Sequence, residues 1–136
     1  MQRVFDNCQQ AIDLATKEKT FSVYYSEKAS TGISMHVHEV CEVYLVLSDG
    51  ASFVVDDKIY AVKRGDLFVI NPFELHKVSI CGLEKFVRFA VSVHPTFLYE
   101  NSGVSADLSE CFYASKESHR IALKEDEIAK ARRFIE

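Results

Sequence analysis

The stretch His36-Val37-His38-Glu39-Val40-Cys41-Glu42 decides how the rest of the chain is read, together with Gly65-Asp66-Leu67-Phe68-Val69-Ile70-Asn71-Pro72-Phe73-Glu74-Leu75-His76 downstream. On an extended strand, residues an even number apart point to one side, so His36, His38 and Glu42 would share a face. A turn or bulge between His38 and Glu42 would change that parity. Two imidazoles, a carboxylate and a third imidazole from His76 make a donor set that suits a divalent transition metal such as Zn, Ni, Fe or Mn, with open positions for water or substrate. The same four side chains could instead form a hydrogen-bonded polar cluster with Glu42 holding a histidine, because buried polar groups must find partners.

Outward from this motif the chain reads as short strands between turns. Phe21-Ser22-Val23-Tyr24-Tyr25 is β-branched and aromatic, hence a strand. Extended structure is expected again from Ile33 through His36 and His38, and Val43-Tyr44-Leu45-Val46-Leu47 is apolar on both faces, as in a strand covered on both sides. Ser52–Val55 and Ile59–Val62 flank Asp56-Asp57-Lys58 as a hairpin, with no glycine to set its turn type. Leu67–Ile70 is a short buried strand that Asn71-Pro72 stops, and His76–Ile80 is expected to pair back on it. Phe86–Val93 is the last long strand, with Val87, Phe89, Val91 and Val93 on one face and Phe86, Arg88, Ala90 and Ser92 on the other. About eight such strands argue for a barrel or sandwich.

Helices are expected at the ends. Val4, Phe5, Cys8, Ala11, Ile12 and Ala15 recur at the spacing of one helix face over residues 2–17. Short helices are expected at Thr96–Glu100 and Asp107–Phe112, and an extended piece at 119–123. A final helix opens on the acidic Glu125-Asp126-Glu127, with Lys130, Arg132 and Arg133 towards its other end, which complements the helix dipole. Its apolar stripe of Ile128, Ala131, Phe134 and Ile135 is still running at Glu136, which reads as a domain cut from a longer protein. The organisation expected is therefore one domain: an N-terminal helix over 1–19, a barrel over 20–94, and a helical and extended tail over 95–136.

Composition bounds the function. The 136 residues are enough for one core without staples, and 48% apolar with 26% charged residues is ordinary for a globular chain. A net charge of -4 with no cluster of lysine and arginine argues against direct binding of nucleic acid. The four cysteines, Cys8, Cys41, Cys81 and Cys111, form no C-x-x-C pair, so neither a zinc ribbon nor a redox dithiol is indicated. The N-terminus has no apolar signal region and no run reaches membrane-spanning length, so a cytoplasmic protein without membrane contact is expected.

The motif resembles the cupin superfamily, whose first motif places two histidines one residue apart, then a glutamate and a glycine, here His36, His38, Glu42 and Gly50. Gly65, Pro72 and His76 match its second motif. The run from Gly65 to His76, preceded by Glu42–Leu47, closely resembles the N-terminal sensor domain of AraC-type transcriptional regulators. That resemblance implies a mostly β fold, the cupin double-stranded β-helix or jelly-roll barrel. It further implies a small-molecule effector, of sugar or small organic acid type, in the barrel and a homodimer. DNA would be reached only through a C-terminal helix-turn-helix domain that does not follow Glu136.

In this reading no cofactor is required and the chain is not an enzyme; a small metal-dependent cupin of dioxygenase or isomerase type is the alternative. Departures from the metal-enzyme pattern count against that alternative: Gly32 lies too close to His36, Glu74 stands where glycine is common, His76 is one residue nearer the proline, and Ile80 replaces an asparagine. Besides His36, His38, Glu42 and His76, the candidate effector-binding residues are Tyr24, Tyr44 and Phe68, as aromatic lining or plain core. Arg88 completes the set, since its guanidinium could meet an anionic effector, although an exposed or salt-bridged arginine is the ordinary expectation. Cys41, with no base or cation evident beside it, is expected to be buried and inert.

Overall fold

The structure is a computed structural model that describes residues 4–29, 35, 37–80, 82–103 and 119–135. Nine strands and three helices run in the order β1 (Val4–Phe5), α1 (Cys8–Glu18), β2 (Phe21–Lys28), β3 (Cys41–Val46), β4 (Ser52–Val55), β5 (Lys58–Ala61), β6 (Asp66–Ile70), β7 (His76–Ser79), β8 (Lys85–Val93), α2 (Pro95–Glu100), β9 (Arg120–Ala122) and α3 (Glu125–Ile135) among the described residues. Six strands form one sheet in the order β1-β2-β8-β3-β6-β9, and β5-β4-β7 form the second.

The two sheets enclose the core. Even-numbered residues of β3 and β8 share a face: Glu42 lies opposite Ser92, Tyr44 opposite Ala90 and Val46 opposite Arg88. All six are buried, so the face that is less apolar in sequence is the barrel interior. The opposite face is apolar for a different reason. Val23, Leu45 and Phe89 are buried there under Ile128 of α3, with Ala131 packed alongside, which accounts for these two residues of the last helix's apolar stripe.

The expected hairpin is present, with Val55 paired to Lys58 across a two-residue loop. Asp56 takes the left-handed conformation that the missing glycine would have supplied, at φ 53°. Gly65 stands at φ 95°, and a Cβ there would meet the Leu123 carbonyl oxygen at 2.7 Å. Only glycine admits this close approach, through which the segment entering α3 docks on the β5–β6 turn.

Three expectations need correction. The N-terminal helix starts only at Cys8, because Asn7 caps it by accepting from the Gln10 amide at 3.0 Å, while Val4 and Phe5 pair in parallel with Val23 and Tyr24. His76–Ser79 does not pair back on β6; it crosses to the second sheet and pairs with β4, His76 opposite Val55. His38 lies in a loop before β3 rather than on a strand. His36, Ile33, Cys81, Cys111 and the helix expected at Asp107–Phe112 lie outside the described residues. Among the described residues no helix is long and apolar enough to cross a membrane.

Candidate functional site

Glu42 is the centre of the interior. Its Oε2 is hydrogen-bonded to His38 Nε2 at 3.0 Å and lies within ion-pair distance of His76 Nε2, 3.3 Å away, with all three side chains buried. The parity argument for His38 does not operate, because the chain bends at residues 39–40 before β3 begins. That bend is fastened on three sides instead. Val40 is buried against Ile12 and Ala15 of α1, Glu39 meets His94 Nε2 at 3.3 Å, and the Phe73 amide donates to the His38 carbonyl at 2.9 Å. His76 reaches the same point from β7 on the opposite sheet.

The second nitrogen of each ring is also engaged. His38 Nδ1 lies 3.0 Å from the Val40 carbonyl oxygen, and His76 Nδ1 lies 2.7 Å from that of Glu74. With acceptors facing both nitrogens of His76, the ring satisfies both only with a proton on each. For His76, burial works against the cation, but the hydrogen bond and charge of Glu42 outweigh it and raise the pKa above its ordinary value. For Glu42, burial pushes the carboxyl up, yet the hydrogen bonds and charge of the two imidazoles win and hold it at about 2.

Those three side chains also suit a divalent metal, since their ligand atoms lie within 4.8 Å of one another. Each ring is fixed through Nδ1 on a backbone carbonyl with Nε2 turned to the common point, the way metal-bound histidines are commonly oriented.

Arg88 differs in kind from Glu42. It is 3% exposed, so the ordinary expectation of an exposed arginine is overturned. Its Nη1 donates to the carbonyls of Lys28 and Phe86 at 2.5 and 2.6 Å, and Nη2 donates to the Tyr24 hydroxyl at 2.8 Å. The guanidinium carbon lies 5.0 Å from the centre of the Phe86 ring, a cation–π contact. Among the described residues no carboxylate pairs with Arg88, and nothing meets its Nε. A buried cation held only by carbonyls, a phenol and the rings of Phe86 and Tyr24 has no counter-charge in contact with it.

Between Glu42 and Arg88 lies a cavity of about 30 Å³ bordered by both, by His76 and by Tyr24 and Tyr44. On this measure a water needs roughly 10–15 Å³, so the cavity has room for about two. Sequence reasoning missed Cys8, which closes one wall from the first turn of α1 and whose thiol burial pushes up to about 12. Only its place on the apolar stripe of α1 pointed inwards. Phe68 does not border the cavity; it lies behind Phe53, stacked on it at 4.3 Å. Cys41 is fully buried against Val93 and Leu98.

Two facing sheets around a small polar interior, with a helix over one end, define a cupin-type double-stranded β-helix. Residues 20–129 match the family model of the AraC-like ligand binding domain, and the chain belongs to that family. No curated protein matches the sequence. Among solved structures, ToxT from Vibrio cholerae O395 bound to (E)-4-(8-methylnaphthalen-1-yl)but-3-enoic acid is similar at 11% identity and TM-score 0.59, over 86% of this chain and 48% of that one. A cupin protein from Bacteroides fragilis is similar at 19% identity and TM-score 0.45, over 54% of this chain and 64% of that one. A cupin 2 conserved barrel domain protein from Salinispora arenicola is similar at 21% identity and TM-score 0.45, over 59% and 65%. The chain thus spans less than two thirds of the length of these solved chains.

Proposed function

We propose that this domain is the effector-sensing module of an AraC-type transcriptional regulator and that its effector is a small organic acid rather than a sugar. The observation that carries this reading is Arg88. A guanidinium in a buried cavity, with Nε unmet and no carboxylate of the described residues in contact with it, lacks the bidentate partner that a carboxylate guest supplies, Glu42 bordering the same cavity without reaching it. The acid carried by ToxT in its solved complex is of the same chemical class. The aromatic rings of Tyr24, Tyr44 and Phe86 give the guest an apolar surround.

The cavity of about 30 Å³ holds about two waters and is smaller than an organic acid with a carbon chain, so binding displaces a wall. Cys8 and its helix α1 form the wall that rests on the barrel rather than within a sheet. Movement of α1 is how occupancy would be signalled, and the guest shifts the equilibrium only by its difference in affinity for the two arrangements. Self-association and a separate DNA-binding domain complete the regulator in this reading.

Thermal denaturation tests it. Short aliphatic and aryl carboxylic acids are expected to raise the melting temperature while neutral sugars do not, and Arg88→Met is expected to abolish the response. A sugar response with none to acids, or an acid response that survives Arg88→Met, overturns the reading.

A second reading is favoured by the Nδ1 anchoring of His38 and His76. In it, Glu42 and the two rings hold a divalent metal, which would supply Lewis-acid chemistry to the cavity.

A further inference from the structure

A second cluster of metal-ligating side chains stands outside the barrel interior. Asp56, Glu74 and His119 bring one ligand atom each to within 4.8 Å of one another. They come from three places far apart in the chain: the β4–β5 turn, the β6–β7 loop and the residue before β9. His119 Nε2 and Glu74 Oε2 are 2.6 Å apart and both side chains are mostly shielded, while Asp56 is exposed.

Each backbone is held in place independently of the cluster. The Asp56 amide donates to the Leu75 carbonyl at 2.8 Å, which ties the turn to the loop. The Val69 amide donates to the His119 carbonyl at 3.0 Å. The Glu74 carboxylate is oriented by the Asn71 amide at 2.6 Å. Positions fixed this way present their side chains without further ordering, which is what a metal site requires.

The polar groups around the cluster are also incompletely met. Among the described residues, nothing partners His119 Nδ1 or Asn71 Oδ1, although both atoms are buried and both residues are bonded to Glu74. Buried polar atoms in folded proteins nearly always have partners, so two orphans on the residues that flank Glu74 mark a neighbourhood that takes up water or another polar species, the surround from which a bound ion would draw its remaining ligands.

We propose that Asp56, Glu74 and His119 form a binding site for a divalent transition metal, with water completing its coordination. One imidazole and two carboxylates suit zinc, manganese or iron better than calcium, which takes oxygen ligands alone. The ion fastens the entry to β9 to the β4–β5 turn of the second sheet. It also sits one step from the interior, because the Glu74 carbonyl receives His76 Nδ1 at 2.7 Å. The site is independent of the effector proposed above.

The test is Zn2+ binding to chelator-stripped, untagged protein, read by competition with a chromophoric chelator and by thermal shift. The parent chain, Asp56→Asn, His119→Gln and Glu42→Gln are compared. Asp56→Asn is the decisive variant, because asparagine tolerates the left-handed backbone at this exposed turn and the fold is undisturbed. The expected result is that Asp56→Asn and His119→Gln each lose one equivalent of Zn2+, or weaken it by roughly tenfold or more, while Glu42→Gln retains that equivalent. Zn2+ is also expected to raise the melting temperature of the parent chain more than that of Asp56→Asn. Stoichiometry and affinity unchanged in Asp56→Asn overturn the proposal, as does loss of all Zn2+ in a Glu42→Gln protein that still melts cooperatively, or no saturable binding by the parent chain.

Discussion

The β6–β7 loop serves two clusters built from the same chemistry, and burial makes them different objects. Glu74 faces outwards to His119 and Asp56, while His76, two residues on, faces inwards to Glu42 and His38. In the inner cluster every ligand atom is shielded and the carboxylate is surrounded by donors, so its charge is locked into the fold. In the outer cluster Glu74 and His119 are only partly shielded and Asp56 is exposed, so water competes for its carboxylate. The difference teaches that histidine and carboxylate at suitable spacing do not by themselves fix a role; the dielectric around them does.

Glu42→Ala should break the comparison most severely. It leaves the Nε2 atoms of two imidazoles without their shared carboxylate inside the core, and removing one partner of a buried charged network costs about 3–5 kcal/mol. Chemical denaturation against the parent chain measures it, and a loss under about 1 kcal/mol would show that water replaces the carboxylate freely. Arg88→Met should cost far less, on the order of 1 kcal/mol. The carbonyls of Lys28 and Phe86 lose a donor, but the penalty of burying an uncompensated cation disappears with them. The same denaturation series shows whether stability and response to acids part company at this residue, as expected of a side chain kept for binding rather than for folding.

How much of this was legible in the sequence follows from which interactions are local. The period-two pattern of β8 placed Arg88 and Ser92 on one face, and the turn at Asp56-Asp57 followed from its residue types. The apolar stripe of the last helix was legible as a period of about 3.6 residues, and its Ile128 and Ala131 pack on the outer face of the large sheet. The membership of His38 and His76 in one cluster came from motif spacing, yet the geometry assumed for His38 was wrong. A loop held by Val40, Glu39 and Phe73, none of which carries a periodic signal, does the positioning. Likewise β7 pairs with β4 across the barrel, a choice between sheets that alternation cannot express. The burial of Arg88 depends on Tyr24 and Lys28, some sixty positions away, and the outer cluster joins three segments by tertiary contact alone.

Glu74→Gln probes the outer cluster at its centre. Glutamine keeps an acceptor for the Asn71 amide but lowers the charge that draws His119, so a loss of about 1–2 kcal/mol is expected, well below that of Glu42→Ala. Equal losses at Glu42 and Glu74 would erase the distinction between the two clusters.

Asp56→Asn should have the smallest effect on the metal-free chain, within about 0.5 kcal/mol of the parent. Three features lead there. The side chain is exposed, so its charge is hydrated in both folded and unfolded states and little is gained or lost on folding. The backbone at φ 53° suits asparagine as well as aspartate, so no strain is introduced. The contact that fixes the turn is made by the Asp56 amide to the Leu75 carbonyl, which the substitution leaves alone. Parallel denaturation of the two metal-free proteins measures the difference. A cost above about 1 kcal/mol would mean that Asp56 already holds the outer cluster together through its carboxylate, and the contrast between a locked interior and an open exterior would then have to be drawn at the turn rather than at the barrel wall.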